Sequence, residues 1–301
     1  MTRQEEIATL KAEKNAVILA HYYVNPEVQE VADYIGDSFY LSKLAQGLTN
    51  PVIVYCGVNF MCESGKLLSP NKKVLMPDMN ADCPMAHMVT KEEVERYHRA
   101  YEDLAVVCYI NSTAEIKSWS DVCVTSANAV KVIRNLPNRN ILFIPDRNLG
   151  TYVAGQIPEK NIMVAKGCCP IHDAISADEI RALKAEHPDA LILAHPECNP
   201  EVRAIADYLG STSGIIKYAT ESEKTSFIIG TEVGVDYKLR QQNPGKAFYF
   251  PKTTPVCRDM KTITLDKIIR VLKTGGNDIA VPAELVPASK LPLERMLELA
   301  K

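Results

Sequence analysis

No stretch of the 301 residues approaches the roughly 18 to 20 consecutive apolar residues that span a bilayer, so a membrane-spanning helix is not expected. The beginning, MTRQEEIATLKAEK, is charged and amphipathic and lacks the apolar centre of a secretory signal, which makes a cytoplasmic location the expectation. An excess of one charge is also missing: 34 Lys and Arg against 37 Asp and Glu leave a net charge of −3. Without a basic stripe to attract phosphates, nucleic acid is not expected as a partner. Nor is there an even set of cysteines. Nine, scattered through a chain of this length, do not read as a secreted disulfide scaffold but as reduced thiols, open to ligand or nucleophile chemistry. What is present is the composition of a folding chain, 47% hydrophobic and 24% charged, long enough for more than one domain.

The chain repeats itself. AHYYVNPEVQEVADYIGDS, from Ala20 to Ser38, aligns without gaps on AHPECNPEVRAIADYLGST, from Ala194 to Thr212, with 10 identities in 19 positions and an offset of 174. Half that offset points to a third, weaker copy, CYINSTAEIKSWSDVCVTS, from Cys108 to Ser126. Each copy starts on an apolar strand (Ala16 to Ala20, Leu104 to Cys108, Ala190 to Ala194). A second follows (Val52 to Tyr55, Ile141 to Ile144, Phe227 to Ile229), then a third (Val74 to Met76, Ile162 to Val164, Phe248 to Phe250), with helical patterns between. Strands alternating with helices predict parallel sheets with right-handed crossovers. The expected fold is therefore α/β: three similar three-layer αβα domains with parallel sheets around a pseudo-threefold axis. Their expected bounds are 15–90, 100–180 and 188–268, with segments 1–20 and 270–301, including a C-terminal helix from Pro282, packing on the first.

Ligands of open parallel sheets bind beyond the carboxyl ends of the strands. The residues just past the first strand of each copy are His21, Tyr109 and His195, followed two positions on by Tyr23, Asn111 and Glu197. Ser38, Ser126 and Thr212 close the same turns, each placed to cap the helix that follows. All three series keep offsets of 88 and 86, so domains that face one another bring nine polar groups to one central cavity, the expected active site.

A cysteine follows the third strand of each copy: Cys83, Cys169 and Cys257, separated by 86 and 88. Cys168 stands beside Cys169 but keeps this register less well. Three thiolates at one point repel unless a cation holds them. Zinc would add a histidine as fourth ligand; an iron–sulfur cluster on three thiolates would leave one iron without a protein ligand, able to act as a Lewis acid. His172, three residues after Cys169, is placed either to line the cavity or to reach a cluster sulfur. Cys56, Cys108 and Cys123 lie in apolar strand patterns and read as small buried hydrophobes.

The Ala20 to Ser38 segment, followed by FMCESGKLL, YINSTAEIKSWSDVCVTSANA, PDRNLGTYVA, GCCPIH, HPECNPEV, GSTSGII and CRDMK, resembles the quinolinate synthase family along essentially the whole chain. The resemblance implies a cytoplasmic enzyme of de novo NAD biosynthesis that condenses iminoaspartate with dihydroxyacetone phosphate to quinolinate, phosphate and water. It also makes the enzyme that forms iminoaspartate from aspartate a candidate partner. It implies a [4Fe-4S] cluster with one open iron on Cys83, Cys169 and Cys257, the histidine of GCCPIH favouring Cys169 over Cys168. It puts substrate-binding groups at His21, Tyr23, Ser38, Tyr109, Asn111, Ser126, His195, Glu197, Ser211 and Thr212. Glu197, with His21 and Tyr23, is the expected acid/base set, because carbon–carbon bond formation needs a proton removed beside the imine. The sequence departs from the family at Val24, Cys62 and the absence of a CxxC at Cys257.

Overall fold

The computed structural model describes every residue except Thr254. Its strands form three four-stranded sheets, all of whose pairings are parallel. The first contains β1 (Ala16–His21), β2 (Tyr34–Gly36), β3 (Val52–Cys56) and β4 (Lys73–Leu75). The second contains β5 (Leu104–Tyr109), β6 (Val122–Val124), β7 (Asn140–Ile144) and β8 (Asn161–Val164). The third contains β9 (Leu191–Ala194), β10 (Tyr208–Leu209), β11 (Ser226–Gly230) and β12 (Ala247–Tyr249). Each sheet has the order second, first, third, fourth. The chain is α/β with three similar αβα units, and β1 and β5 are buried along their whole length, as strands covered by helices on both faces must be.

The short edge strands β2, β6 and β10 are not in the three-strand reading of each copy; two or three residues are too few to show a period. One aspartate series in the repeat belongs to this edge. Asp33, Asp121 and Asp207 accept the backbone N–H of Ile18, Val106 and Ile192 at 2.8, 2.7 and 2.8 Å, pinning the start of each edge turn to the first strand.

Contacts from equivalent positions, Asn25, Thr113 and Asn199, close the three units into a ring. The Asn25 amide donates to the carbonyls of Lys261 and Ile263, joining the first unit to the third. The Asn199 amide donates to those of Asp173 and Ile175, joining the third to the second. Thr113 N–H donates to the Ala86 carbonyl, joining the second to the first. Because each contact runs the same way round, the ring ends where it began.

The C-terminal region departs from expectation in part. Residues 277–279 lie along β4 of the first sheet, and the helix Leu265–Thr274 packs on the N-terminal helix Arg3–Lys14. The last helix, Val286–Leu299, does touch the first unit at the helix Asn59–Leu68, but it also packs on the helix Ala114–Ser118 and β6 of the second. Ser289 Oγ donates to the Ala114 carbonyl at 2.6 Å and Arg295 to that of Asp121 at 2.7 Å. An apolar stripe announces a buried face without saying which surface covers it. Leu293 and Met296 thereby enter one apolar core shared by the first two units, whereas the third has separate clusters on the two sides of its sheet. Among the described residues no helix is long and apolar enough to cross a membrane.

Candidate active site

The first strand of each unit ends at the centre of the ring. His21 and Tyr109 are the last residues of β1 and β5, and His195 follows β9; all three are buried and line one central cavity. The turns after β1 and β9 are built alike. The backbone N–H of Tyr23 donates to His21 Nδ1 at 3.2 Å, and that of Glu197 to His195 Nδ1 at 3.3 Å. An Nδ1 that accepts leaves the proton of the neutral ring on Nε2. Burial lowers both imidazoles to a pKa of about 3, so both are neutral at physiological pH.

Tyr23, Asn111 and Glu197 line the same cavity, as do Ser38, Ser126 and Thr212. The three hydroxyls do not cap the helices that follow. Asp37 and Ser211 are the caps of the helices Ser38–Gly47 and Thr212–Glu221, accepting from Tyr40 N at 3.0 Å and Gly214 N at 3.1 Å. Ser126 lies ahead of its helix, Ala129–Asn135, whose N-cap position is held by Asn128. With capping done by a neighbour, the hydroxyls are available across the unit boundaries: Thr212 Oγ1 meets Tyr23 OH at 2.7 Å, and Ser126 Oγ meets His195 Nε2 at 3.1 Å. Ser211 does not line the cavity; it faces an adjoining outer groove that also reaches Ser126.

Glu197 is the electrostatic centre. Burial alone would raise its carboxyl, but His195, His172 and the Tyr109 hydroxyl beside it hold it down to about 2, so it is an anion. His172 Nδ1 donates to Glu197 Oε2 at 2.7 Å, while Glu197 Oε1 is buried with no hydrogen-bond partner. Asn111 Oδ1 is buried and unpartnered too. Leaving such an acceptor unmet costs about 1 to 3 kcal/mol, so two in one cavity call for a ligand that brings N–H or O–H donors. Burial and the nearby Glu197 charge keep the Tyr23 and Tyr109 phenols protonated by raising them well above their usual value.

Thr231 and Glu232 are functional candidates absent from the sequence reading. Thr231 Oγ1 sits between His172 Nε2, at 2.8 Å, and Tyr23 OH, at 2.9 Å. The fully buried Glu232 lines the cavity and pairs with Lys261 Nζ at 3.0 Å, which in turn reaches the Tyr23 carbonyl. Gly234 lets this segment lie against the first unit: a Cβ there would fall 2.7 Å from the Tyr22 carbonyl oxygen and from Tyr23 Cα. The signal was positional, since Asp146 and Glu232 stand two residues past the second strand of their copies with the same offset of 86 as the histidine series.

Cys83, Cys169 and Cys257 all line the cavity, one from each unit. Each is the N-cap residue of a single helical turn: Pro84–His87, Pro170–Asp173 and Arg258–Lys261. Burial pushes the Cys83 and Cys257 thiols up to about 12 and about 11, and Cys169 well above its usual value, with Cys83 and Glu197 adding to the rise at Cys169. Such thiols ionise at neutral pH only with a cation present. Cys168 is outside the lining and lies close to Arg147 and Asp173. Ligating atoms of Cys169, His172 and Glu197 lie within 4.8 Å of one another, a group compact enough for one ion. Cys56, Cys108 and Cys123 are fully buried strand residues away from the lining.

The chain is similar to known proteins of one family along nearly its whole length. The family model described as "Quinolinate synthetase A protein" matches residues 5–298. A quinolinate synthase of Fusobacterium nucleatum is 49% identical over 297 residues, covering 99% of both chains. One of Caldicellulosiruptor saccharolyticus is 48% identical over 297 residues, covering 99% of this chain and 98% of its own. One of Aquifex aeolicus is 46% identical over 302 residues, covering 99% of this chain and 94% of its own.

Proposed function

Since the chain belongs to the quinolinate synthetase A family, we propose that it condenses iminoaspartate with dihydroxyacetone phosphate to quinolinate, releasing one phosphate and two waters, as a cytoplasmic step of NAD biosynthesis. The observation that carries this reading is the meeting, in one cavity, of a cysteine from every unit with an anionic carboxylate that keeps one oxygen free. The donor set suits an iron–sulfur centre: three partly buried thiols lining one cavity and a buried acceptor without a protein partner. Cys83, Cys169 and Cys257 would hold a [4Fe-4S] cluster, and its iron without a protein ligand would supply Lewis acidity toward a substrate oxygen.

The side chains divide the remaining work. Glu197 Oε1 takes the proton from the carbon beside the imine, leaving an enamine whose carbon forms the new bond, while His172 on Oε2 fixes which oxygen is presented. From Glu197 a chain of contacts through His172 and Thr231 leads to Tyr23 OH, an acid placed to return protons to departing oxygens. His21 stands against the Tyr23 ring, with centroids 4.4 Å apart, and presents a neutral Nε2–H. Tyr109, Asn111, Ser126, His195, Thr212 and Ser38 supply neutral donors for the substrates' carboxylates and phosphate, a way to bind anions without lysine or arginine in the lining. Ser211, outside the cavity, supports this set by capping the helix that begins at Thr212.

Protein purified without oxygen and supplied with both substrates tests the reading. Quinolinate and inorganic phosphate should appear in equal amounts; a preparation loaded with iron and sulfide that forms neither would overturn it.

A further inference from the structure

Two carboxylates are buried where packing alone would not choose them, beside the cysteines that already carry the thiols of the site. Asp146 and Glu232 are fully buried and occupy the same place in the second and third units, two residues past the second strand. Asp146 Oδ2 accepts the backbone N–H of Cys169 at 2.9 Å, and Glu232 Oε1 accepts that of Cys257 at 3.1 Å. Their other oxygens are also engaged, Asp146 Oδ1 with Leu149 N–H at 2.7 Å and Glu232 Oε2 with Gly234 N–H at 2.6 Å. In the first unit the equivalent position is the apolar Val58, and the Cys83 N–H is met instead by its neighbour Asp82, at 2.8 Å. Every cluster cysteine thus gives its own N–H to a carboxylate, and in two units out of three that carboxylate comes from the neighbouring strand end.

Resting on the function proposed above, we propose that Asp146 and Glu232 are positioning residues for the iron–sulfur centre: by holding the N–H of Cys169 and Cys257, each fixes the direction in which its cysteine faces the cavity. Groups behind a ligand set its orientation, and hydrogen bonds to cluster sulfurs tune the centre. An N–H committed to a carboxylate is kept from the sulfurs. Because both oxygens of each carboxylate are used, the isosteric amide, with one acceptor oxygen, must release one of its two N–H donors.

The test compares wild type with Asp146→Asn and Glu232→Gln, all purified without oxygen, by the rate of iron loss to a chelator and by the electron-paramagnetic-resonance spectrum of the reduced centre. Asp207→Asn is the control, because Asp207 holds a backbone N–H at the edge turn and is not in the cavity lining. Both amide variants should lose iron about tenfold faster and shift the spectrum; the control should match wild type in both. Asp146→Glu and Glu232→Asp displace the carboxylate by one methylene and replace any amide variant that does not fold, with the same acceleration required of them. Wild-type release rates and an unchanged spectrum would overturn the inference alone. A wild-type protein that binds no iron–sulfur centre would overturn the proposed function instead.

Discussion

His172 and Glu197, both buried, meet at 2.7 Å between Nδ1 and Oε2, and this contact leaves Oε1 as the oxygen open to a ligand. The same imidazole touches Cys169 Sγ at 3.2 Å and Thr231 Oγ1 at 2.8 Å. One ring therefore ties the carboxylate to the thiol and to the hydroxyl network of Tyr23.

Replacing Glu197 by Gln keeps the volume and removes the anion. Turnover should fall on the order of 100-fold or more, the range for loss of a general base, while KM changes little. Steady-state kinetics of the loaded enzyme check this; near-normal turnover would remove Glu197 from the proton-transfer role.

Thr231→Val deletes the hydroxyl between His172 and Tyr23. Tyr23 keeps its contact with Thr212, but the buried His172 Nε2 loses its partner, so the stability cost should be about 1 to 3 kcal/mol, that of an unmet buried polar atom. Turnover should drop about tenfold through misplacement of the two rings. Urea denaturation and kcat measured on the same preparation separate the two effects.

Acid should destabilise the metal-free protein well before ordinary carboxylates titrate. His21 and His195 have folded pKa values of about 3 because of burial, against a usual 6.5. As pH falls below about 6.5, the unfolded chain binds protons at these rings and the folded chain does not, so stability drops progressively toward pH 3. Glu197, held near 2, adds a further loss as pH falls through the range from its usual 4.5 toward 2. Denaturation midpoints between about pH 7.5 and about pH 5 should show the histidine-driven decline, with a shallower slope in His21→Gln. An identical slope in that variant would contradict the burial of a neutral His21.

How much of this was legible in the sequence follows from what a repeat can and cannot encode. His21, Tyr109, His195, Tyr23, Asn111 and Glu197 were found together because equal offsets in a threefold arrangement demand equal places, and all six line the cavity. The same logic gathered the three cysteines. It failed for the caps, because Asp37 and Ser211 sit one residue ahead of the aligned hydroxyls Ser38 and Thr212 and an alignment does not say which of two adjacent polar residues turns toward the backbone. Asp146 and Glu232 have the apolar Val58 at the equivalent place in the first copy, and Thr231 has Pro145 and Gly57 at its own, so no complete polar series marks either position. The docking of Val286–Leu299 across two units was hidden because that helix has no counterpart in the other copies.

The most direct measurement is the iron and acid-labile sulfide content of protein purified without oxygen, for wild type and for four cysteine variants. Wild type and Cys168→Ala, whose thiol lies outside the cavity lining, should carry iron and sulfide in equal amounts, and Cys83→Ala, Cys169→Ala and Cys257→Ala should carry neither. A centre retained in any of those three, or zinc without sulfide in wild type, would contradict one cluster held jointly by the three units.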